Sequence, residues 1–200
     1  MSYVAALVGG YLAGSIPTGY WLVRLVRGID IRRVGSRSIG ATNVWRVLGW
    51  KYGVPTIVLD VAKGLVPALV ASLLVDDLAG ALAGGGAMLG HARPLFLKFE
   101  RGGKAVATTG GVLLGLAPVV ALLGAGVWVL TFLVARYVSV ASMTAAVSVP
   151  VFAFVLDESW PVKILGLAGA GAVVFLHREN IKRLFARREP RVQIATMFRR

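Results

Sequence analysis

Residues Ala105–Ala135, AVATTGGVLLGLAPVVALLGAGVWVLTFLVA, decide how the chain is arranged. The stretch carries no charge. As one helix it would be about 46 Å long, well beyond the roughly 30 Å hydrocarbon core of a bilayer. Read as a single crossing, it would also set Arg136 and the basic C-terminal residues against the lysine and arginine bias of membrane proteins. Two crossings that turn near Gly115 to Pro118 restore the parity. Each is then short, so at least one is expected to be a thinned or partial span, acceptable only where it packs against protein.

The flanking segments fit that count. Upstream, apolar runs cover roughly Tyr3 to Val26, Gly53 to Val75 and Leu78 to Leu97; downstream they cover Val138 to Leu156 and Trp160 to Leu176. Within the first, Gly14-Ser15-Ile16-Pro17-Thr18-Gly19 is expected to kink the helix near its inner end. This run lacks the positive leader of a signal peptide; its arginines follow it instead, as in an uncleaved span with its N-terminus outside. Asp76, Asp77, Asp157 and Glu158 fall on the outer side of this layout, and of 22 lysines and arginines only Lys163 joins them. The expected fold is all-α: a polytopic membrane bundle of about seven transmembrane helices, N-terminus outside and C-terminus cytoplasmic. Residues 1–200 form one integral membrane domain, ending in a basic, surface-lying tail over 178–200.

Composition narrows the chemistry. With 57% hydrophobic and only 16% charged residues, the chain is not an ordinary water-soluble domain. The net charge of +13 lies between apolar spans and in the tail, so anionic lipid heads are the expected partner, not nucleic acid. The absence of cysteine excludes a thioester intermediate and any thiolate metal site. Two histidines, His91 and His177, make a histidine metal cluster an unpromising reading, and no metal or cofactor is expected.

Three polar stretches should meet on the cytoplasmic face. The first is Gly35-Ser36-Arg37-Ser38-Ile39-Gly40-Ala41-Thr42-Asn43-Val44-Trp45-Arg46, which supplies short hydrogen-bonding side chains and two guanidinium forks suited to phosphate. The second, Gly102-Gly103-Lys104 followed by Ala105-Val106-Ala107-Thr108, sets glycines and an ammonium just before a helix, where free amides could cradle an anion. It lacks the Walker spacing and is weak by itself. The third is residues 177–183. Deeper in the membrane, Asp60 and Lys63 are spaced to form an ion pair on one helix face.

These motifs together resemble the bacterial acyl-phosphate:glycerol-3-phosphate acyltransferases. The residues that carry the likeness are Gly14-Ser15-Ile16-Pro17, Gly35-Ser36, Gly40-Ala41-Thr42-Asn43 with Arg46, Asp60 with Lys63-Gly64, Gly90-His91, Gly102-Gly103-Lys104 with Val106-Ala107-Thr108, and His177-Arg178 with Asn180. They run in order from about residue 10 to residue 185. The resemblance implies a seven-span inner-membrane enzyme that makes lysophosphatidic acid, the first step of phospholipid synthesis. It also implies a site: Ser36, Arg46, Lys104, His177 and Asn180 hold glycerol 3-phosphate, while Thr42, Asn43, Gly102, Gly103 and Thr108 receive acyl phosphate. Lys104 would bridge both, and Ser15, Asp60, Lys63 and His91 would support them. The chain departs from the family pattern at Arg37 and Ser38, where glycine and asparagine are usual, and at Ala105, where glycine usually follows the lysine. It also reads as one residue longer than that pattern around Glu100-Arg101.

An acyl phosphate is already an activated mixed anhydride, so the protein needs no covalent nucleophile of its own. Its expected work is to hold two phosphates and align a hydroxyl with the carbonyl carbon. The departing phosphate can take the hydroxyl proton; His177 as general base is the competing assignment. Three other classes stay open. A phosphate or organophosphate transporter also suits seven spans with anion-binding loops, although only Asp60 and Lys63 approach the midplane. A degenerate, non-catalytic membrane protein is compatible with the departures. An acyl-CoA-dependent acyltransferase is disfavoured because neither His91 nor His177 has an aspartate five residues on.

Overall fold

The computed structural model describes residues 2–193 and, among them, contains helices and no strands. The helices are α1 (Tyr3–Gly14), α2 (Thr18–Arg27), α3 (Ala41–Leu48), α4 (Trp50–Leu74), α5 (Asp77–Ala92), α6 (Val106–Leu116), α7 (Pro118–Ala135), α8 (Val138–Val155), α9 (Trp160–Leu176) and α10 (Arg178–Phe185). By length and apolar composition α4, α7 and α8 can each cross a bilayer, and α9 with α10, bent by 53°, makes a fourth candidate. Their outer faces expose Val58, Leu59, Leu73, Leu122, Leu130, Val134, Val151 and Val155, side chains that suit lipid and not water. Residues 194–200, the end of the expected basic tail, lie outside the described residues.

The uncharged stretch divides at Ala117. Helix α6 has 11 residues, about 16 Å, and α7 has 18, about 27 Å. The turn falls within the expected window because Pro118 has no amide proton for α6 and sits well at the first position of α7. The short partner is shielded: Gly111 packs on the Val61 carbonyl and Gly64 on the Thr108 carbonyl, so α6 lies close against α4.

Two expected spans are revised. The run from Tyr3 to Val26 is two helices, not one kinked helix, since Pro17 interrupts the amide ladder after Ser15. The Ile16 carbonyl released there accepts a hydrogen bond from Lys63 Nζ at 3.0 Å. The third run stops at Ala92, short of Leu97, because Arg93-Pro94 cannot continue the helix; a 3-10 turn over Leu95–Leu97 follows.

Helices α1 and α5 form a seam of small residues. A Cβ on Gly14 would run into the Ala87 backbone, and one on Gly90 into the Tyr11 carbonyl and the Ser15 amide. Backbones that approach this closely hold together through dispersion contacts, without the apolar side-chain burial that lipid does not reward. Tyr3 Oη donates to Asp76 Oδ2 at 2.8 Å, fixing the start of the chain to the α4–α5 turn. At the other end of the bundle, contacts tie the loops together. Arg32 pairs with Glu100, Lys104 with Asn180, Ser139 with Glu189, and the Val192 amide with the Arg136 carbonyl.

Candidate active site

That second end holds a cavity of about 980 Å³. Its polar portion is walled by loop 35–46, the first turn of α6, and α10; its apolar portion runs between α6, α7 and α8 past Leu113, Leu122, Ala125, Trp128 and Ala146. The cavity therefore joins a cationic mouth to a greasy slot.

The 35–46 loop is rigid for a local reason. Asn43 is 1% exposed, and its side chain serves the loop itself. Oδ1 accepts the Ser36 amide at 2.9 Å, while Nδ2 donates to the Ser38 carbonyl at 2.9 Å and the Val34 carbonyl at 3.1 Å. Ile39 and Val44 anchor the same loop in an apolar cluster with Val23, Ile31 and Leu97. Gly35, at φ 58°, passes so near Asn43 Oδ1 that a Cβ would collide with it. Asn43 thus braces the loop while lining the cavity, with both amide protons and Oδ1 engaged by the loop backbone.

Arg37 and Ala105 both occupy the left-handed region, at φ 60° and 58°. These are the two positions at which the resemblance leads one to expect glycine. A residue with a Cβ costs of order 1 kcal/mol there, so this chain carries mild strain at both edges of the cavity.

Lys104 is half-buried, and Nζ donates to Asn180 Oδ1 at 2.6 Å. Burial lowers its pKa to about 8; Glu189 opposes that, while Arg183, Arg101 and Arg46 add to it. His177 stands just past the end of α9. Its Nδ1 lies 2.8 Å from the Val173 carbonyl, which can only accept, so Nδ1 carries the proton and Nε2 keeps its lone pair. Burial, reinforced by the Lys104 ammonium, lowers its pKa to about 4 and keeps it neutral.

Ser36, Thr42, Asn43, Arg46, Lys104, His177 and Asn180 all line the same cavity, together with Asp60 and His91. Gly102, Gly103, Thr108, Ser15 and Lys63 do not. The glycine amides expected to be free are used: Gly102 N–H donates to the Ala92 carbonyl and Gly103 N–H to the His91 carbonyl, both at 3.0 Å. A Cβ on Gly103 would strike the His91 ring, so these glycines let the loop close over His91. Thr108 is fully buried with its hydroxyl unpaired, and Thr109, one residue on, reaches the cavity instead. Lys63 pairs with Asp60 at 2.8 Å, and Thr18 Oγ1 donates to the same carboxylate at 2.6 Å, which anchors the α1–α2 break. Among the described residues, no three histidine, aspartate or glutamate side chains gather as a metal site would require.

The residues expected from sequence leave out Arg101, Thr109, Ser139, Ser142, Glu179, Arg183 and Glu189, polar groups that also line the cavity. Arg183 was within reach of the pattern, since it follows Asn180 by three on one helix face. Arg101 lies in the segment that reads as one residue longer than the family pattern, beside Glu100, whose carboxylate pairs with Arg32. Glu189 left a fainter signal: a lone acid inside Arg187-Arg188-Glu189-Pro190-Arg191.

A family described as glycerol-3-phosphate acyltransferase matches residues 4–187. The chain is 44% identical to the glycerol-3-phosphate acyltransferase of Synechococcus sp. (strain JA-3-3Ab), over 96% of this chain and 94% of that one. It is likewise 44% identical to the enzyme of that name from Aquifex aeolicus, over 96% of this chain and all of the other. Among solved structures it is similar to PlsY, an integral membrane glycerol 3-phosphate acyltransferase. The glycerol 3-phosphate form matches with TM-score 0.93 and 41% identity, covering 98% of both chains. The lysophosphatidic acid form matches with TM-score 0.90 and 40% identity, covering 98% of this chain and 97% of that one. With this coverage and identity, and with a cation-lined cavity opening into an apolar slot, the chain belongs to the glycerol-3-phosphate acyltransferase family.

Proposed function

We propose that this protein moves a fatty acyl group from acyl phosphate to the sn-1 hydroxyl of glycerol 3-phosphate, releasing lysophosphatidic acid and inorganic phosphate. The observation that carries the reading is the continuity of the cavity. Basic and neutral hydrogen-bonding groups at one end suit two phosphates, and the slot between α6, α7 and α8 suits an alkyl chain. Relatives named for this activity, and solved PlsY forms named for glycerol 3-phosphate and lysophosphatidic acid, support it.

Arg46, Lys104 and Asn180 would take the acceptor phosphate, with Ser36 and His177 beside its hydroxyls. Thr42, Thr109 and the first turn of α6 would take the donor phosphate. Gly102, Gly103 and Asn43 would shape the loops without touching either ligand. The acceptor oxygen attacks the carbonyl carbon, the bond from that carbon to the phosphate oxygen breaks, and the leaving phosphate accepts the hydroxyl proton. A neutral His177 with a pKa of about 4 is a poor base but a good hydrogen-bond acceptor, which favours a binding role for it.

For the membrane arrangement we propose seven crossings by α1, α4, α5, α6, α7, α8 and α9, with α2, α3 and α10 lying at one face. Tyr3 beside Asp76 at one end and the Lys104–Asn180 contact at the other fit an odd number of crossings between the N-terminus and α10. The arginine-rich end would face the cytoplasm of a bacterial inner membrane. The test is an assay of purified protein with glycerol 3-phosphate and palmitoyl phosphate, following lysophosphatidic acid and phosphate in equal amounts. Product from palmitoyl-CoA but not from palmitoyl phosphate would overturn the donor assignment.

A further inference from the structure

After α10 the chain turns back on itself. Arg187 adopts φ 53°, the Arg188 amide donates to the Arg183 carbonyl at 2.7 Å, and the Val192 amide donates to the Arg136 carbonyl at 2.8 Å. The Arg191 guanidinium stacks over Tyr137 with 5.9 Å to the ring centre. Residues 187–192 are thus pinned as a strap across the α7–α8 corner, and Glu189 is the acid that the strap delivers to the cavity.

The Glu189 side chain is 7% exposed and collects three donors. Asn180 Nδ2 and Ser139 Oγ both reach Oε1 at 2.7 Å, and Arg183 Nε reaches Oε2 at 2.8 Å. Burial alone would push this carboxyl up, but the three hydrogen bonds and the Arg183 charge hold it below the usual glutamate range, so it is ionised. An ionised carboxylate only accepts, and the Lys104 ammonium only donates. Set on opposite sides of Asn180, they leave its amide one orientation, Nδ2 toward Glu189 and Oδ1 toward Lys104.

We infer that Glu189 is a positioning residue for acyl transfer: through Asn180 and Arg183 it fixes the shape and charge of the pocket that grips the acceptor phosphate. The inference rests on the proposed function of that pocket. Glu189 stands behind the Asn180 amide and acts on the ligand through Asn180, Arg183 and Lys104. The charged or titratable groups around Lys104 are Glu189, Arg183, Arg101, Arg46 and His177, and Glu189 is the one anion among these five.

The test is a glycerol 3-phosphate titration of full-length Glu189→Gln at saturating palmitoyl phosphate, repeated across the neutral and alkaline range. The expected KM for glycerol 3-phosphate rises about three- to ten-fold, the span that one net hydrogen bond gives, with kcat within about twofold of wild type. The alkaline limb of kcat/KM moves down by on the order of half a pH unit, because Lys104 loses the carboxylate that favours its charged form. Glu189→Asp, which keeps the charge but shortens the reach, raises KM and leaves the limb in place. Ser139→Ala removes a tether without changing charge and also leaves the limb in place. An unmoved limb with wild-type KM in Glu189→Gln overturns the inference. So does a lowered KM, which would mean that the carboxylate competes with substrate. If Glu189→Gln yields no folded protein, Glu189→Asp decides: a raised KM supports the inference and a wild-type KM refutes it. Failure of the underlying reading looks different, since wild type itself would then form no product.

Discussion

Replacing Asn43 by alanine strips the 35–46 loop of its brace. Three hydrogen bonds of good length disappear, leaving the Ser36 amide and the Ser38 carbonyl without partners, while the Val34 carbonyl keeps the Arg37 amide at 3.0 Å. A buried group left unsatisfied costs about 1–3 kcal/mol. Water from the adjoining cavity can reach these atoms, so the low end applies, about 2 kcal/mol in all. That energy falls on the loop and not on the helix bundle. Spent in misplacing Ser36, Thr42 and Arg46, it amounts to roughly thirtyfold in kcat/KM. The assay is steady-state acyl transfer in detergent with each substrate varied in turn, alongside thermal unfolding. The expected variant unfolds within a few degrees of wild type, yet loses kcat/KM for both glycerol 3-phosphate and palmitoyl phosphate. A loss confined to palmitoyl phosphate would make Asn43 a donor ligand after all. A near-wild-type kcat/KM for both would refute the bracing role.

Other perturbations have equally definite outcomes. His177→Ala, assayed at saturating substrates, should keep a maximal rate within a few-fold of wild type and raise the acceptor KM; a drop of 10²–10⁴ would restore it as general base. For wild type, kcat/KM for glycerol 3-phosphate should rise as its phosphate takes its second charge near pH 6 and fall as Lys104 loses its proton near pH 8. The sign follows from Lys104, which binds anions only below its own pKa. A profile still climbing at pH 9 would contradict a binding role for that ammonium. Gly14→Val should wedge α1 from α5 at a cost of about 2 kcal/mol and lower the unfolding midpoint, whereas Gly9→Ala, facing open space, should be silent.

Much of the bundle is readable because lipid imposes a simple rule: apolar runs, prolines and basic loops each have few permitted places. The division at Ala117 and the extent of α9 follow from that rule, and so does the meeting of residues 35–46, 98–108 and 177–183. What escapes the sequence is how polar atoms are apportioned. Nothing in Gly102-Gly103-Lys104 says that both glycine amides go to α5 carbonyls, because that partner is supplied by the bend at Pro94. Asn43 reads as a ligand until its three loop partners are seen. The full break after Ser15 is equally illegible, since the compensation for it, Lys63 donating to the Ile16 carbonyl, comes from 47 residues away. Glu189 was hidden by its basic surroundings, for only the backward turn at Arg187 shows where its carboxylate goes.

The central physical claim is that gripping two anions suffices, with no acyl group ever attached to the protein. Rapid mixing of concentrated enzyme with palmitoyl phosphate, in the absence of glycerol 3-phosphate, tests it directly by counting phosphate released in the first turnover. The expected result is no burst, with phosphate and lysophosphatidic acid formed together only once the acceptor is added. A burst of one phosphate per protein, with palmitate recovered covalently on a cavity residue such as Ser36, would contradict it.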